Sequence, residues 1–308
     1  MERLAILIPC YNEEITIAKV VKDARSAFPD ATVYVYDNNS TDKTAELAKE
    51  AGAIVHKEPK QGKGNVIRTM FAQIDALCYL MVDGDDTYPM EEGAKLVDQV
   101  LNQGAAMAIG DRLSANYNQT KEKLFHKSGN SFVLWQINHL FGGDLTDAMT
   151  DFRAFSYAFA KSFPCRYGGF QTETEMSIFS LTHHLKVTHL PVTYRERPAG
   201  SHSKLSTVKD GIRVLRAIQS LHRQYHPGAY FGIRAACFGV LGAALFIPFL
   251  LLYLPYPSWG FLVGLIFGGV FLFACVGLLI TALCLSKKAK VEEAAFQSRW
   301  KELSEGKK

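Results

Sequence analysis

Two periodicities share the first 110 positions of the chain. Leu4-Ala5-Ile6-Leu7-Ile8 is an unbroken apolar run of strand length, and the stretch after Asn12 carries apolar residues at 17, 20, 21, 24 and 28, the spacing that gathers side chains on one helix face. The alternation recurs, predicting strands over 32–36, 53–56, 77–82 and 105–109 and helices over 41–51, 65–76 and 91–102. Such alternation predicts an α/β fold: a doubly wound, mainly parallel sheet with ligands at the carboxyl ends of its strands. No Pro/Gly-rich linker or internal repeat divides residues 1–200, so residues 1–204 read as one domain.

Beyond Gly110 the texture changes. Lys121, Lys123, His126 and Lys127 precede Phe132, Val133, Trp135, Ile137, Leu140 and Phe141, a basic start to an aromatic helix. Residues 205–228 repeat the idea, with Leu205, Val208, Ile212, Leu215 and Ile218 on one face and basic residues mostly elsewhere. Both patterns suit helices lying in a membrane interface, and also helices packed on the core. Ala235 to Ser286 then contains 52 residues without one Asp, Glu, Lys or Arg. A single helix of that length would span about 78 Å, far more than a ~30 Å hydrocarbon core. Leu254-Pro255-Tyr256-Pro257-Ser258 breaks it near the middle. The prediction is two transmembrane helices, about 230–253 and 259–285, within residues 229–286, followed by a basic tail over 287–308.

Charge refines this picture. The net charge is +4; residues 198–234 carry +5 and the tail 287–308 carries +3, which leaves −4 on residues 1–197. Basic residues flank the hairpin on both outer sides and none lies in its turn, so both ends are expected in the cytoplasm. The basic excess is thus accounted for beside the membrane, which disfavours a nucleic-acid partner. The six cysteines show no C-x-x-C pair and read as reduced thiols. The run Leu4–Pro9 is too short for a cleavable signal peptide, and none is expected.

The chemistry-bearing residues cluster at the predicted strand ends. Met81-Val82-Asp83-Gly84-Asp85-Asp86 closes an apolar strand with three carboxylates in four positions. Close carboxylates repel one another and call for a cation; hard oxygen donors at this spacing suit Mg²⁺ or Mn²⁺, which would also neutralise a diphosphate. Strand one ends in Pro9-Cys10-Tyr11-Asn12-Glu13-Glu14, strand two in Asp37-Asn38-Asn39-Ser40-Thr41-Asp42-Lys43-Thr44, and Gln61-Gly62-Lys63-Gly64-Asn65 opens a helix. Asp37 can accept hydrogen bonds from a base or ribose, Tyr11 can pack on a nucleoside, and the glycines around Lys63 let an anion approach a helix N-terminus. Ser40, Thr41 and Asp42 also make a helix cap. Neither a Walker A loop nor G-x-G-x-x-G is present, which argues against an ATPase or a dehydrogenase.

These segments, in this order, resemble family-two glycosyltransferases with the GT-A fold. Asp147-Ala148-Met149-Thr150-Asp151-Phe152-Arg153 is similar to the D-x-x-T-G-F-R segment of dolichol-phosphate mannose synthases and bacterial undecaprenyl-phosphate glycosyltransferases. Gly169-Phe170-Gln171-Thr172-Glu173-Thr174-Glu175 resembles their G-F-x-x-E-x-E run, and the segment from Arg195 to Leu205 their R-x-x-G-x-S-K-L. The likeness covers about residues 3–220. It implies a catalytic set of Asp83, Asp85, Arg112, Asp147 and Arg153, with Asp83 and Asp85 holding the metal. It implies a nucleotide-sugar site of Pro9, Tyr11, Glu13, Asp37, Gly62, Lys63, Asp83, Gly84, Asp85 and Glu173. On the acceptor side it implies Arg112, Ser128, Arg197, Ser203 and Lys204 around a lipid phosphate. Glu175 and Asp151 are expected to position sugar hydroxyls or neighbouring side chains. The chain departs from many relatives in reading Asp37-Asn38-Asn39-Ser40 where they read D-D-G-S.

The resemblance implies inverting transfer of a hexose from a UDP- or GDP-sugar to a polyprenyl phosphate, at the inner face of a bacterial plasma membrane. The expected partners are the nucleotide-sugar, the polyprenyl phosphate and the bilayer, with homo-oligomers open. One alternative is a processive polysaccharide synthase, which requires more membrane helices and Q-x-x-R-W before them; this chain has only Gln297-Ser298-Arg299-Trp300, after its last span. A second is a non-catalytic membrane scaffold, under which loss of the metal acids is expected, yet all three are present.

Overall fold

The computed structural model describes residues 1–112, 124–201, 204 and 207–306. The chain begins β1 (Glu2–Cys10), α1 (Ile17–Ala27), β2 (Thr32–Asp37), α2 (Thr44–Glu50), β3 (Ile54–Lys57), α3 (Lys63–Gln73), β4 (Ala76–Met81), α4 (Gly93–Leu101) and β5 (Met107–Asp111). It continues α5 (Leu124–Phe141), β6 (Arg153–Ser156), α6 (Tyr157–Ser162), α7 (Thr172–Thr182), β7 (Val187–Pro191) and α8 (Thr207–Tyr225). The predicted strands and helices of the first 110 residues are all present, with ends shifted by a few residues.

The strands form one sheet in the order β3-β2-β1-β4-β6-β5-β7. β1 is buried from Leu4 to Cys10 because helices cover both faces of a mostly parallel sheet. Fully burying each such Ile or Leu contributes roughly 1.5–3 kcal/mol. α1 turns Ile17, Val20, Val21 and Ala24 into the same core, as its apolar spacing predicts. The departure from a parallel pattern is β6, which runs antiparallel to both β4 and β5. Its first residue, Arg153, pairs with Met81 and Ile109, so the segment preceding β6 lies at the same sheet edge as the ends of its neighbours.

The chain divides into two compact units, Met1–Ile218 with Gln297–Lys308, and Gln219–Phe296. The first twelve residues of α8, 207–218, fall in the first unit. Val214, Ala217 and Ile218 are buried, Ile212 is exposed, and Tyr167 Oη donates to the Ala217 carbonyl at 3.4 Å.

In the second unit, α9 (Pro227–Tyr253) and α10 (Trp259–Glu305) are two helices long and apolar enough to cross a membrane. Their large side chains mostly face outward, Phe273 being 81% exposed, unlike the core helices of a soluble protein. Glycines on both helices meet the opposite helix: a Cβ on Gly268 would stand 2.6 Å from Phe246 N, and one on Gly242 2.9 Å from Leu272 Cγ. The Gly264/Gly268 pair is thus used inside the hairpin. α10 does not stop at 285 but continues into the basic tail as far as Glu305, since no Pro or Gly interrupts the tail before Gly306, and Lys288 pairs with Glu292 one turn on at 3.8 Å. Gln297 and Arg299, half of the near-match to Q-x-x-R-W, donate to the carbonyls of His183 and Lys161.

Candidate active site

The carboxyl edge of the sheet brings the chemical residues into a row. Across it come Asn38 after β2, Pro9, Tyr11 and Glu13 at the end of β1, Asp83 and Asp85 after β4, Met149 and Asp151 before β6, and Arg112 after β5. All of them line one cavity of about 670 Å³, together with Gln61, Gly62, Lys63, Glu173, Tyr194, Arg197 and Lys204. The antiparallel β6 sets the order, inserting Asp151 between the acids of β4 and the arginine of β5.

Two glycines set the backbone. Gly84 faces Cys10, whose Sγ would lie 2.7 Å from any Cβ added there. Gly62 caps α3 at φ +123, and a Cβ there would meet the Gly168 carbonyl at 2.1 Å, so only glycine lets the helix start against this loop. Gly64 N donates to that carbonyl at 3.1 Å.

Lys63, the first residue of α3, holds the centre of the cavity. Its ammonium lies 2.6 Å from Asp83 Oδ1, 2.5 Å from Asp151 Oδ1 and 3.5 Å from Glu173 Oε1, and its side chain is only 11% exposed. Burial pulls the Lys63 pKa down, but Asp151, Asp83 and Glu173 outweigh it and hold it well above the ordinary lysine value. Burial and the Asp151 charge push Asp83 and Glu173 well above the usual carboxylate range. Asp151 goes the other way: burial opposes its ionisation, yet Lys63 holds it below the ordinary aspartate value. Three carboxylates thus share one ammonium.

The second acid is held differently. Asp85 accepts from the Thr87 amide and hydroxyl at 3.2 and 2.7 Å, and its other oxygen contacts Arg197 Nη2. Glu13 accepts from Lys204 Nζ at 2.6 Å and lies 3.7 Å from Arg197 Nη1. Burial raises the Glu13 pKa, and Lys204 partly offsets it. Asp86, the third acid of the run, turns away through a left-handed backbone (φ 58) to meet Lys19 at 2.7 Å.

Arg112 is fixed by Asp147, Nε to Oδ2 2.9 Å, and its guanidinium stands 5.7 Å from the Tyr194 ring centre. Burial lowers the Arg112 pKa, but the Asp147 charge outweighs it and keeps the guanidinium firmly protonated.

Several expected site residues do not reach the cavity wall. Asp37 is buried and caps its own loop, accepting from Ser40 N at 3.2 Å. Its neighbour Asn38 lines the cavity instead. Asn38 donates to the Glu58 and Lys60 carbonyls and accepts from Gly62 N, a donor role no ionised aspartate could fill, which accounts for an asparagine at the second position of that segment. Asp147 lies beneath Arg112. Arg153, grouped with the catalytic residues, is fully buried and donates to the carbonyls of Thr150 and Ala148 at 2.8 Å and to Ser177 Oγ at 3.1 Å. It positions the loop that carries Asp151. Glu175 accepts from the amides of Arg166 and Tyr167 and fixes that turn. The side chain of Ser128, and Ser203 entirely, lie outside the described residues.

The cavity also includes Tyr88, Phe170, Asp210 and Arg213, which the sequence reading did not single out for the site. Asp210 and Arg213 pair at 2.9 Å on the first turns of α8. Their i, i+3 spacing is visible in the sequence, but the amphipathic pattern around them pointed to the membrane rather than to the cavity.

The residues present fit a divalent cation. Within this cluster five carboxyl groups, Glu13, Asp83, Asp85, Asp151 and Glu173, face three basic side chains, Lys63, Arg197 and Lys204, so the acids outnumber the cations by two and a dication would relieve their crowding. Among the described residues no three His, Cys, Asp or Glu side chains form a closed cage. An open pair of aspartates is the donor set a cation uses when substrate phosphates complete its shell.

Comparison with known proteins agrees with this architecture. Residues 5–163 match the family model described as Glycosyl transferase family 2. The glycosyltransferase AglJ of Haloferax volcanii is 34% identical over 252 residues, 80% of this chain and 82% of AglJ. The dolichyl-phosphate hexose transferase of the same organism is 28% identical over 215 residues, 70% of this chain and 92% of that protein. Among solved structures, glucosyl-3-phosphoglycerate synthase of Mycobacterium tuberculosis, in complex with Mn²⁺, UDP and phosphoglyceric acid, has a TM-score of 0.57 at 18% identity, covering 72% of this chain and 78% of that one. That likeness shows a shared GT-A-like fold. By the match to more than half its length and by its likeness to AglJ, the chain belongs to glycosyl transferase family 2 and is a glycosyltransferase.

Proposed function

We propose that the protein moves a hexose, with inversion, from a UDP- or GDP-sugar to the phosphate of a polyprenyl lipid such as undecaprenyl phosphate. The observation that carries this reading is the polarity of the cavity at the carboxyl edge of the sheet. In the order of the strands, Asn38, Pro9 and Tyr11 come first, the acids after β4 next and Arg112 last, with Arg197, Lys204 and Arg213 also on the wall. Asp83 and Asp85 would hold Mg²⁺ or Mn²⁺, which when bound offsets the charge of the diphosphate and of the departing nucleotide.

The remaining chemistry falls to the chain's own side chains. A lipid monophosphate is already an anionic oxygen at neutral pH, so it needs holding and aiming rather than a strong base. Arg112, braced by Asp147, offers a guanidinium suited to bidentate contact with a phosphate, and Arg197 and Lys204 supply further positive charge. Held on the side of the sugar away from the diphosphate, the nucleophile displaces it with inversion. Asp151 and Glu173 lie next after the β4 acids in the row, where a donor's sugar would follow its diphosphate, and are placed to accept from its hydroxyls.

Membrane placement supports a lipid acceptor. The reading takes residues 1–204 as the catalytic domain, α8 as a helix at the interface and α9 and α10 as the hairpin anchor, with both chain ends in the cytoplasm by the charge pattern. α5 exposes Phe132 and Trp135, stacked at 6.0 Å, the amphipathic aromatic surface favoured at a bilayer boundary. The relative named dolichyl-phosphate hexose transferase is consistent with this acceptor class. Two spanning helices among the described residues leave little for the channel a processive synthase requires.

The test incubates membranes containing the protein with labelled UDP- and GDP-hexoses and undecaprenyl phosphate. Label extracted into organic solvent and released by mild acid is the expected outcome. Label in long polymer would favour a synthase, and none in either fraction would overturn the reading.

A further inference from the structure

Lys63 stands where the acids of β4, the loop before β6 and the start of α7 converge, and it is the cation that all three share. The distances are 2.6 Å to Asp83, 2.5 Å to Asp151 and 3.5 Å to Glu173. Its backbone cannot retreat, because it is the first residue of α3 behind a glycine locked against the Gly168 carbonyl. Its side chain has four methylenes and so has reach, and Gln61 and Tyr11 line the same cavity. We infer that Lys63 is a built-in counter-ion that competes with the divalent cation for Asp83, so that the metal binds well only when a nucleoside diphosphate arrives to draw the ammonium onto its phosphates. The inference rests on the metal reading proposed above.

The physical argument is one of charge exchange. A dication approaching Asp83 meets an ammonium already within hydrogen-bond distance of one of its oxygens, and like charges a few ångströms apart in a partly desolvated site repel. A diphosphate supplies the ammonium with another anionic partner, so metal and nucleotide each favour the other's binding. Such coupling is reciprocal and corresponds to roughly 5–150-fold in affinity. Asp151 and Glu173 are then freed of their shared cation in the same step, which makes both available to sugar hydroxyls only once the donor is in place.

The experiment measures Mn²⁺ binding to purified, detergent-solubilised full-length protein by the loss of the free-ion paramagnetic resonance signal, with and without UDP. In the parent, Mn²⁺ is expected to bind weakly alone and at least about tenfold more tightly with UDP. Lys63→Met and Lys63→Gln are each expected to bind Mn²⁺ alone at least about tenfold more tightly than the parent, and to lose most of the gain from UDP. Lys63→Arg, which keeps the charge, should stay close to the parent, and its unfolding temperature guards against a folding artefact. Unchanged or weaker Mn²⁺ binding in both neutral variants, with the parent still responding to UDP, overturns the counter-ion role alone. No Mn²⁺ binding by the parent even with UDP overturns the metal reading and this inference with it.

Discussion

Arg197 lies on Asp85, its Nη2 in contact with the carboxylate that is expected to face the donor's metal, while its Nη1 lies 3.7 Å from Glu13. The arginine proposed to hold the acceptor phosphate is thus stationed on acids proposed to serve the donor, and on that proposal the two sites would share a charged group. Replacing it with Ala removes charge-assisted contacts worth about 1.5–3 kcal/mol, so the KM for polyprenyl phosphate should rise at least tenfold. Initial rates at varied acceptor and fixed donor check this. A loss confined to the KM for the donor would place Arg197 wholly on the nucleotide side.

The acids of β4 are chemically alike and spatially distinct. Asp85 faces the cavity, whereas Asp86 is turned to Lys19 on α1. Asp85→Asn should therefore abolish measurable transfer, and Asp86→Asn should keep activity within about threefold, since asparagine tolerates the left-handed backbone and Asp86 does not line the cavity. Excess chelator should reproduce the Asp85→Asn result in the parent, restored by Mn²⁺ or Mg²⁺. Equal rates of the two variants in the lipid-extraction assay would reject the assignment.

The exposed pair Phe132 and Trp135 on α5 predicts a dependence on the bilayer. Changing both to Ser should slow transfer to a long-chain acceptor in vesicles several-fold while leaving UDP binding unchanged. A water-soluble short-chain acceptor should show no difference between variant and parent. An equal loss on both acceptors would instead indicate a role in folding the catalytic unit.

Arg153 illustrates how a motif residue can serve a site without entering it. Its guanidinium is fully buried and satisfies the carbonyls of Thr150 and Ala148 just before and within the loop that carries Asp151. Arg153→Met would strand those buried acceptors at about 1–3 kcal/mol each. For a catalytic unit of this size the unfolding temperature should drop on the order of 5–10 °C. Thermal unfolding reads this directly, and retained donor affinity at low temperature would separate positioning from contact.

Much of the donor side is legible in the chain because it is local. Strand ends carrying Pro9 to Glu13 and Asp83 to Asp85 fall where apolar runs stop, and such ends are where ligands gather in a doubly wound sheet. What pattern alone does not disclose is long-range. The reversal of β6 is set by its pairing with β4 and β5, far away in the chain, and a four-residue strand reads the same in either direction. Asn38 rather than Asp37 reaches the cavity because the chain turns one residue later than the strand pattern suggests. The role of Arg213 depends on α8 folding back onto the cavity, while its own sequence reads only as amphipathic.

The hairpin offers a matched pair of neighbouring glycines. A side chain on Gly268 would collide with the backbone of Phe246, whereas at Gly269 nothing lies within 4 Å. Close approach of the two helices is what small residues permit in a bilayer, where packing rather than water drives association. Gly268→Leu should therefore force the helices apart and lower the thermal stability of the detergent-solubilised protein, while Gly269→Leu, pointing outward, should leave it within about 0.5 kcal/mol of the parent. Because the collision is inside one hairpin, the loss at Gly268 should be independent of protein concentration. A loss that grows on dilution would show that this ridge packs against a second copy instead.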